Sequence, residues 1–304
     1  MTYPKVSAII VNYRSSEHAI ACVRSLREQQ NVNIEILVVD NASGDGSVDN
    51  IRLAYPDINL IENPHNDGFA KANNLAALQA TGEFILAINP DIRLLETDGI
   101  ARLVMHLLEH SEIGVVGPDL LESRRNKRVM PKRFYPMQKK LRKTRGLSNL
   151  PGQFAWLLGA CMLFRTEVYR QVGGFDNNFF LYGEDTDICL RLRQAGYIIA
   201  WLPDVKVDHW GGASESGSRI YDMRLRKKRG YYQFCLKHYD HEDVSRLLRW
   251  RYLQCSLNLW VLTWRKHLNI GQTPLVSAIE RNQAERDVLR ILIEQNANRV
   301  KQLA

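Results

Sequence analysis

The stretch that decides the fold is residues 84–91, FILAINPD, in which five apolar residues are followed by Asn, Pro and Asp. A short apolar run that ends in this way is typical of a buried strand followed by a turn. Two other polar groups flank apolar runs, namely residues 183–185 (GED) and the pair Asp208 and His209. In an alternating α/β chain, strand-end residues gather at one edge of the sheet, where ligands bind. The three groups therefore predict one functional site.

Outward from this stretch, apolar runs and amphipathic segments alternate along the chain. The patterns predict strands at 5–12, 34–39, 58–61, 83–88, 113–116, 197–202 and 205–209, and helices that begin near 16, 48, 69, 99 and 185. This order predicts an α/β fold with a mostly parallel sheet flanked by helices. Beyond residue 218 the strand signals stop and only helices are predicted. We therefore expect a ligand-binding domain at 1–217 and a C-terminal helical extension at 218–304.

The positive charge is concentrated in one segment. Residues 123–150 contain eleven Lys or Arg and no Asp or Glu, so the rest of a chain of net charge +8 carries about −3. With two prolines and no sustained period, the segment predicts a long mobile loop. Its charge favours a phosphate-bearing partner, such as an anionic membrane surface; a solvated loop that aids solubility is the alternative. Because no nucleic-acid-reading module is recognisable, nucleic-acid binding is not expected.

The five cysteines are widely spaced, and several lie in apolar runs. This usage predicts buried, reduced thiols in a reducing compartment. From the first residues of the sequence we expect no signal peptide, and no window approaches the roughly 20 apolar residues of a membrane-spanning helix. We therefore expect a cytoplasmic protein that binds peripherally to the inner face of the cytoplasmic membrane if its basic or Trp-rich segments contact lipid.

The helical extension contains a Trp-rich helix predicted at 242–267. Its residues Trp250, Trp260 and Trp264 are interspersed with Leu and Arg. Tryptophan beside basic residues is typical of a helix at a membrane interface, and also of a helix packed on its own domain or on a partner. We favour packing here. The last helix suits a helical hairpin or a homo-oligomer contact.

Four residues carry the candidate chemistry. Asp40 ends the second strand and either accepts hydrogen bonds from a nucleobase or ribose or caps a loop. Asp91 offers oxygen to Mg²⁺ or Mn²⁺, although Asn-Pro-Asp is also good turn chemistry. Asp185 stands at a helix start, where acids stabilise the dipole, but the aromatic run before it would desolvate it and make it a better base. His209 is either a metal ligand or a structural residue.

Phosphate binding has one candidate segment, residues 66–74 (NDGFAKANN), which opens a helix whose N-terminus could meet a phosphate. The sequence contains no G-x-x-x-x-G-K-[ST] motif, no zinc-ligand spacing and no evident Ser-His-Asp set.

A series of ordered motifs carries a family resemblance over about residues 6–212. The motifs are VSAIIVNY at 6–13, VVDNAS at 38–43, NDGFAKANN at 66–74, NPD at 89–91, GACML at 159–163, GGFD at 173–176, EDTD at 184–187 and Asp208-His209. Through them the chain resembles the inverting family-2 glycosyltransferases of the GT-A fold, and is most similar to their bacterial rhamnosyltransferase-like branch.

The resemblance implies a role for each matching residue. It implies that 1–217 is a nucleotide-sugar-binding and catalytic domain whose donor site is formed by Val11, Tyr13, Asp40, Asn66, Gly68, Asn73, Asn89 and Asp91. Asp91 and His209 would bind a divalent cation, Mg²⁺ or Mn²⁺, and Asp185 would be the general base. Asn89 stands where the family often has the first acid of Asp-x-Asp, which weakens the implied metal site.

The reaction implied is transfer of a sugar, with inversion, from a nucleotide sugar to an alcohol. The branch points to dTDP-rhamnose as donor and to a lipid-linked or surface polysaccharide as acceptor, with the basic loop as a lid. The alternatives are a UDP-sugar donor and a non-catalytic protein that binds nucleotide sugars or glycans.

Overall fold

The computed structural model describes residues 3–140, 147, 149–212, 219–268 and 272–303. The chain forms two compact units, Met1–Tyr135 with Asn149–Ser216, and Pro136–Ser148 with Gly217–Ala304. The first unit carries the sheet and the second contains the last three helices. The segment predicted as a basic loop is thus divided between the units, and its residues 141–146 and 148 lie outside the described residues.

The first unit is built on a nine-stranded sheet. Its strands are β1 (Lys5–Asn12), β2 (Asn33–Asn41), β3 (Asn59–Asn63), β4 (Phe84–Ile88), β5 (Ile92–Leu94), β6 (Ile113–Glu122), β7 (Lys127–Val129), β8 (Cys161–Arg165) and β9 (Ile198–His209). Their order is β3-β2-β1-β4-β8-β6-β9-β5, and β7 pairs with β6. The pairings make β1, β2, β3, β4, β6 and β9 point one way and β5, β7 and β8 the other. The predicted α/β fold with a mostly parallel sheet is confirmed.

Six helices accompany the sheet within the described part of this unit: α1 (Ser16–Arg27), α2 (Ser47–Ala54), α3 (Gly68–Ala77), α4 (Gly99–Glu109), α5 (Thr166–Gln171) and α6 (Glu184–Gln194). Successive residues of β1 point to opposite faces of the sheet. Ile10 joins a buried cluster with residues of α1 and α4, whereas Ile9 joins a second cluster with residues of α3 and α6. Because both faces are covered, the central strands are apolar throughout, which is why they could be predicted from the sequence.

The sheet must curl between β4 and β5. Only residues 89–91 connect these strands, although β8, β6 and β9 lie between them in the sheet. Four strand spacings of about 4.8 Å exceed what such a short connection can span in a flat sheet. The pairing of β6 with β9 shifts register between Pro118 and Asp119, a bulge-like irregularity that bends a sheet. The curl brings the end of β9 back over the end of β4.

The second unit contains α7 (Ile220–His238), α8 (His241–His267) and α9 (Gln272–Leu303). Asp240 caps α8 by accepting hydrogen bonds from the Glu242 and Asp243 amides. No helix in the described part of the chain combines the length and apolarity needed to cross a membrane.

Several local expectations need correction. The short elements β5 and α5 were not predicted, because neither is long enough to show a period. The strands predicted at 197–202 and 205–209 are one strand, β9, whose interruption at Pro203 coincides with the shift in register. The predicted loop begins with a 3-10 turn, Ser123–Arg125, and contains β7. The prediction of buried thiols is confirmed, since all five cysteines are buried and free.

Candidate active site

Asp91 and His209 face each other at the end of the sheet. Asp91 directly precedes β5, which pairs with β9 so that Ile92 lies opposite His209. Asp91 Oδ1 is 3.5 Å from His209 Nε2, and the Trp210 amide donates to the Asp91 carbonyl at 3.0 Å. Both side chains are largely buried, with 8% and 7% of their surface exposed. Pairing of β5 with β9 is therefore what unites two distant parts of the sequence.

This pair fits a hard divalent cation bound together with substrate. Mg²⁺ usually binds through one or two carboxylates plus substrate phosphates, and Mn²⁺ accepts similar oxygen ligands. Asp91 supplies the carboxylate, and His209 presents Nε2 on the same side. His209 Nδ1 is buried and has no hydrogen-bond partner among the described residues. Within the part of the chain that the structure describes, no set of three or more His, Cys, Asp or Glu side chains could hold a metal ion, so substrate and water would complete the coordination.

Asp185 is held at the start of α6 by donors on both carboxylate oxygens. The Gly159 amide donates to Oδ2 at 3.0 Å, and the Thr186 amide donates to Oδ1 at 2.6 Å. Burial raises the pKa of Asp185 and outweighs these hydrogen bonds, which lower it. A fixed carboxylate with a raised pKa is a stronger base than an ordinary Asp.

The dipeptide Gly159-Ala160 joins Asp185 to the turn that carries Asp91. Gly159 donates to Asp185, and the carbonyl of Ala160 accepts from the Asn89 amide at 2.8 Å. A Cβ atom at Gly159 would lie 3.0 Å from Asp185 Cβ, which is tighter than ordinary contact. The absence of a side chain at this position therefore allows the carboxylate to approach the end of β4.

The other two acids of the EDTD motif have different environments. Glu184 is buried, and its Oε2 has no hydrogen-bond partner in the described structure. Burial raises the pKa of Glu184, and the negative charge of Asp185 raises it further. Asp187 instead forms a buried ion pair with Arg191, at 2.8 Å from Oδ2 to Nε. Asp187 is thus a structural residue, whereas Glu184 and Asp185 remain candidates for proton transfer.

Asp40 lies at the end of β2 within a compact polar cluster. Its Oδ1 accepts from Asn12 Nδ2 at 2.8 Å and from Ser43 Oγ at 2.6 Å. Its Oδ2 accepts from the Ser43 amide at 3.0 Å. Both readings of Asp40 from the sequence therefore remain open: it organises the loop after β2, and Oδ2 keeps a lone pair for a ligand.

Asn66 and Gly68 form a turn that is fixed to neighbouring loops. Asn66 Oδ1 accepts from the Gly68 amide at 3.1 Å and from Asn41 Nδ2 at 2.9 Å. Gly68 has φ +84°, and a Cβ there would lie 2.2 Å from the Phe180 carbonyl oxygen. Glycine is therefore required at this position, both because φ is positive and because a side chain would collide with the Phe180 carbonyl. The turn packs directly on the segment that leads to Glu184.

The remaining predicted donor-site residues differ in access. Val11 is buried at the end of β1, and the Arg14 guanidinium lies 5.2 Å from the ring centre of the half-buried Tyr13. Asn89 is half-buried beside Asp91. Asn73 is only 1% exposed and donates to the Phe69 carbonyl. Its Oδ1 is buried and has no hydrogen-bond partner in the described structure.

Sequence reasoning missed the supporting residues. Gly159 was noted in a motif without a role, and its amide is the donor that holds Asp185. Trp210, directly after His209, has the His18 ring at 5.7 Å and the Arg124 guanidinium at 5.5 Å. Gly159 could have been found from the sequence, because a glycine directly before an apolar strand indicates a close approach of the backbone. The contacts of Trp210 could not have been found, because they depend on the curl of the sheet.

Two family models match this chain. The model described as "Glycosyl transferase family 2" matches residues 7–173, which is more than half of the chain. The model described as "Glycosyl transferase family group 2" matches residues 101–276. The first match includes Asp40, Asp91 and Gly159, and the second includes Asp185 and His209.

Curated relatives and solved structures agree with these models. The chain is 25% identical over 229 residues to the N-acetylglucosaminyl-diphospho-decaprenol L-rhamnosyltransferase of Mycobacterium tuberculosis, covering 66% of this chain and 74% of that protein. It is 24% identical over 216 residues to the dTDP-rhamnosyl transferase RfbF of Shigella flexneri, covering 67% and 68%. Among structures, the mannosyltransferase PcManGT of Pyrobaculum calidifontis, in complex with GDP-Man and Mn²⁺, aligns with a TM-score of 0.59 at 17% identity, covering 96% of this chain and 88% of that one. At this low identity, the similarity to PcManGT shows the fold alone.

Proposed function

The chain belongs to glycosyl transferase family 2, and from this premise we propose that it transfers L-rhamnose from dTDP-L-rhamnose to a hydroxyl group of a lipid-linked glycan, with inversion at the anomeric carbon. Glycosyl transfer as the reaction class follows from the family. The donor, the acceptor and the residue roles are the proposal.

One observation carries the mechanism. A buried carboxylate with a raised pKa, Asp185, is joined through Gly159-Ala160 to the turn that bears Asp91, and Asp91 faces His209. A base on one side of the sugar and a phosphate-binding group on the other is the arrangement that in-line displacement needs. No other described cluster in this unit combines these features.

In the proposed reaction, the acceptor hydroxyl gives its proton to Asp185. The acceptor oxygen forms a bond to the anomeric carbon while the bond from that carbon to the diphosphate oxygen breaks, and the nucleoside diphosphate leaves with the electron pair. Burial raises the pKa of Asp185 and so strengthens it as a base. The enclosure of Asp185 also limits access of water, which would otherwise compete with the acceptor.

The nucleotide would lie along the ends of β1, β2 and α3. Asp40 has hydrogen-bonding capacity left at Oδ2 for a base or ribose. The turn at Asn66 and Gly68 opens α3, whose N-terminal amides favour a phosphate. Val11 and Tyr13 would border the base. Asn73 would hold α3 through the Phe69 carbonyl, and its Oδ1 would still be able to accept a hydrogen bond.

Asp91 and His209 would hold a divalent cation, Mg²⁺ or Mn²⁺, which when bound neutralises charge on the diphosphate. Asn89 contributes a neutral amide in place of a second carboxylate. We therefore expect weaker metal binding than at a site with two acids. Two structural neighbours were solved with Mn²⁺, which supports the choice of ions.

The names of relatives support the donor and the acceptor. Two of them are named for rhamnosyl transfer, one of these from dTDP and the other to a decaprenyl-diphosphate-linked sugar. An acceptor of the second kind carries a pyrophosphate, which suits the eleven basic residues of the segment 123–150. A UDP-sugar donor is the alternative, and the experiment must distinguish it from dTDP-rhamnose.

The test is a panel of dTDP-, UDP- and GDP-sugars with a pyrophosphate-linked acceptor, scored by release of nucleoside diphosphate with Mn²⁺, with Mg²⁺ and with a chelator. We expect turnover with dTDP-rhamnose and little with the other donors. Turnover with UDP-sugars alone would replace the donor and keep the reaction class. Binding without turnover for every donor would instead support the non-catalytic alternative.

A binding assay isolates the metal site. The chain with Mn²⁺ alone should show a thermal shift that Asp91→Asn abolishes. Asp98→Asn, which changes an exposed acid at the start of α4, is the matched control. A shift that survives Asp91→Asn would remove Asp91 from the proposed site.

A further inference from the structure

One face of α8 exposes a row of large apolar side chains. Its most exposed member is Trp260, at 69%. The row comprises Trp250, Leu253, Leu257, Trp260, Val261, Trp264 and Leu268, all classed as exposed. The spacing of three and four residues puts them within about 100° of the helix circumference, and 1.5 Å per residue makes the row about 27 Å long. We call this row the tryptophan face.

The tryptophan face lies opposite the side of α8 that packs within its own unit. The buried residues of α8 are Val244, Leu248, Cys255 and Leu259, and they centre about half a turn away from the middle of the row. Helix α8 therefore packs within its own unit through its other face, and the contact that these tryptophans make with a partner or a membrane stays a prediction. An exposed contiguous apolar surface of this size marks an interaction site.

The charges around the tryptophan face all have one sign. Between residues 244 and 267 the helix contains no Asp or Glu. The exposed Arg249 flanks the row on one side, and the exposed Arg265 flanks it on the other. The nearest acid on α8 is Asp243, which is paired with Arg246.

We propose that the tryptophan face docks on the surface of an anionic lipid bilayer. Tryptophan rings favour the boundary between headgroups and acyl chains, and Leu side chains favour the acyl region below. Arg249 and Arg265 would then meet lipid phosphates from the two edges of the row. Helix α8 lies in the plane of the membrane surface, with its buried face toward the protein.

Charge decides against a second copy of this chain as the occupant. Two tryptophan faces packed together would bring Arg249 and Arg265 close to their counterparts, and the row at residues 250–268 contains no acid to compensate. Like charges at the edges of a helical interface oppose pairing, and paired helices normally place opposite charges there. An anionic bilayer instead attracts every charge on this face.

The experiment measures co-sedimentation of the full chain with vesicles of phosphatidylcholine, with and without phosphatidylglycerol. We expect binding to the anionic vesicles only, weakened by salt. The variant Trp250→Ser/Trp260→Ser/Trp264→Ser should lower the partition coefficient at least about tenfold. The variant Arg249→Gln/Arg265→Gln should weaken binding less and reduce its dependence on salt. The vesicles contain neither donor nor acceptor, so the outcome is independent of the proposed function.

The matched control is Leu53→Ser/Leu78→Ser. These leucines are the most exposed large apolar residues of the first unit, and their loss should leave vesicle binding unchanged. Quenching of tryptophan fluorescence by brominated acyl chains gives a second readout, which the triple Trp variant should lose. The proposal is overturned if the wild type does not bind anionic vesicles or if the triple Trp variant binds them as well as the wild type does. It is also overturned if the wild type is a dimer and the triple Trp variant is a monomer.

Discussion

Two clusters of buried acids, one in each unit of this protein, differ in whether a cation compensates their charge. In the second unit, Glu285 of α9 contacts Lys228 at 2.8 Å, Arg251 at 2.6 Å and Tyr232 at 2.6 Å. Burial alone would raise the pKa of Glu285, but these hydrogen bonds outweigh it and lower the pKa. In the first unit, Glu184 and Asp185 are buried side by side with no Lys or Arg ion pair among the described residues, and the pKa of each is raised.

The contrast distinguishes an acid that stabilises the fold from acids that are suited to catalysis. The Glu285 cluster joins α7, α8 and α9 through charges that are fully compensated, as expected for a group that organises a fold. An uncompensated pair of carboxylates costs folding free energy, and such strain is typical of functional sites. The predictions below test this division, beginning with the largest expected effect.

Asp185→Asn should abolish most activity while sparing the fold. The amide keeps the shape and loses the base, so nucleoside diphosphate release should fall about 10²–10⁴-fold. Thermal stability should stay equal or rise, because a carboxylate that is costly to bury is removed. Asp187→Asn is the contrasting variant, since it breaks the pair with Arg191 and should lower the melting temperature. Equal rates for Asp185→Asn and the wild type would refute the assignment of the base.

Glu285→Gln should be the most destabilising of the acid-to-amide changes. It leaves Lys228 and Arg251 without a buried counter-charge, which should cost roughly 3 kcal/mol of unfolding free energy. Urea denaturation measures the loss, with Glu280→Gln on the same helix as control. A loss no larger than that of the control would show that solvent compensates these cations.

The two acid clusters should give pH dependences of opposite sign. The pKa of Glu184 is raised in the folded state, so the folded chain keeps a proton that the unfolded chain releases above the ordinary pKa of 4.5. The contribution of Glu184 to stability is therefore lost as pH rises from about 4.5 to about 8. Glu285 has a lowered pKa, so its contribution is present above the unfolded pKa and is lost as pH falls through the folded one.

Glu184→Gln should therefore stabilise the chain at neutral pH and have little effect in acid. The test compares the melting temperatures of this variant and the wild type from acid to neutral pH. A difference that grows toward acid would contradict the raised pKa. Glu285→Gln, measured in parallel, should show its largest loss at neutral pH.

Gly159→Ala should produce a small but specific defect in activity. The added methyl lies 3.0 Å from Asp185 Cβ and should displace the base, lowering turnover about tenfold with little change in stability. Gly117→Ala places a methyl equally close to Leu157 Cδ1, a side chain that can shift. Equal activity losses in the two variants would mean that crowding, rather than the position of Asp185, is responsible.

Much of the fold could be predicted because its central strands are covered on both faces. The run at 84–88 and the run at 5–12 are apolar almost throughout, and each forms a strand close to the predicted bounds. The short β5 could not be found, since three residues show no period. The division of the basic segment between two units was equally hidden, because it depends on contacts far away in sequence.

For the site, the sequence determined which residue types stand at the strand ends, since apolar runs and the acids beside them are local features. It also determined the family, through motifs that occur in a definite order. Only the tertiary structure decided which of these side chains meet. The curl of the sheet brings His209 to 3.5 Å from Asp91, a contact that no local pattern encodes.

The tertiary structure also decided how each acid of the EDTD motif behaves. Asp187 has a cation beside it, whereas Asp185 has amide donors and a neighbouring acid. The same holds for Glu285 and for the tryptophans of α8, whose exposure depends on which helix face packs inward. The physical reason is common to all of them: burial and charge compensation are properties of the surroundings in space, and residues distant in the chain supply those surroundings.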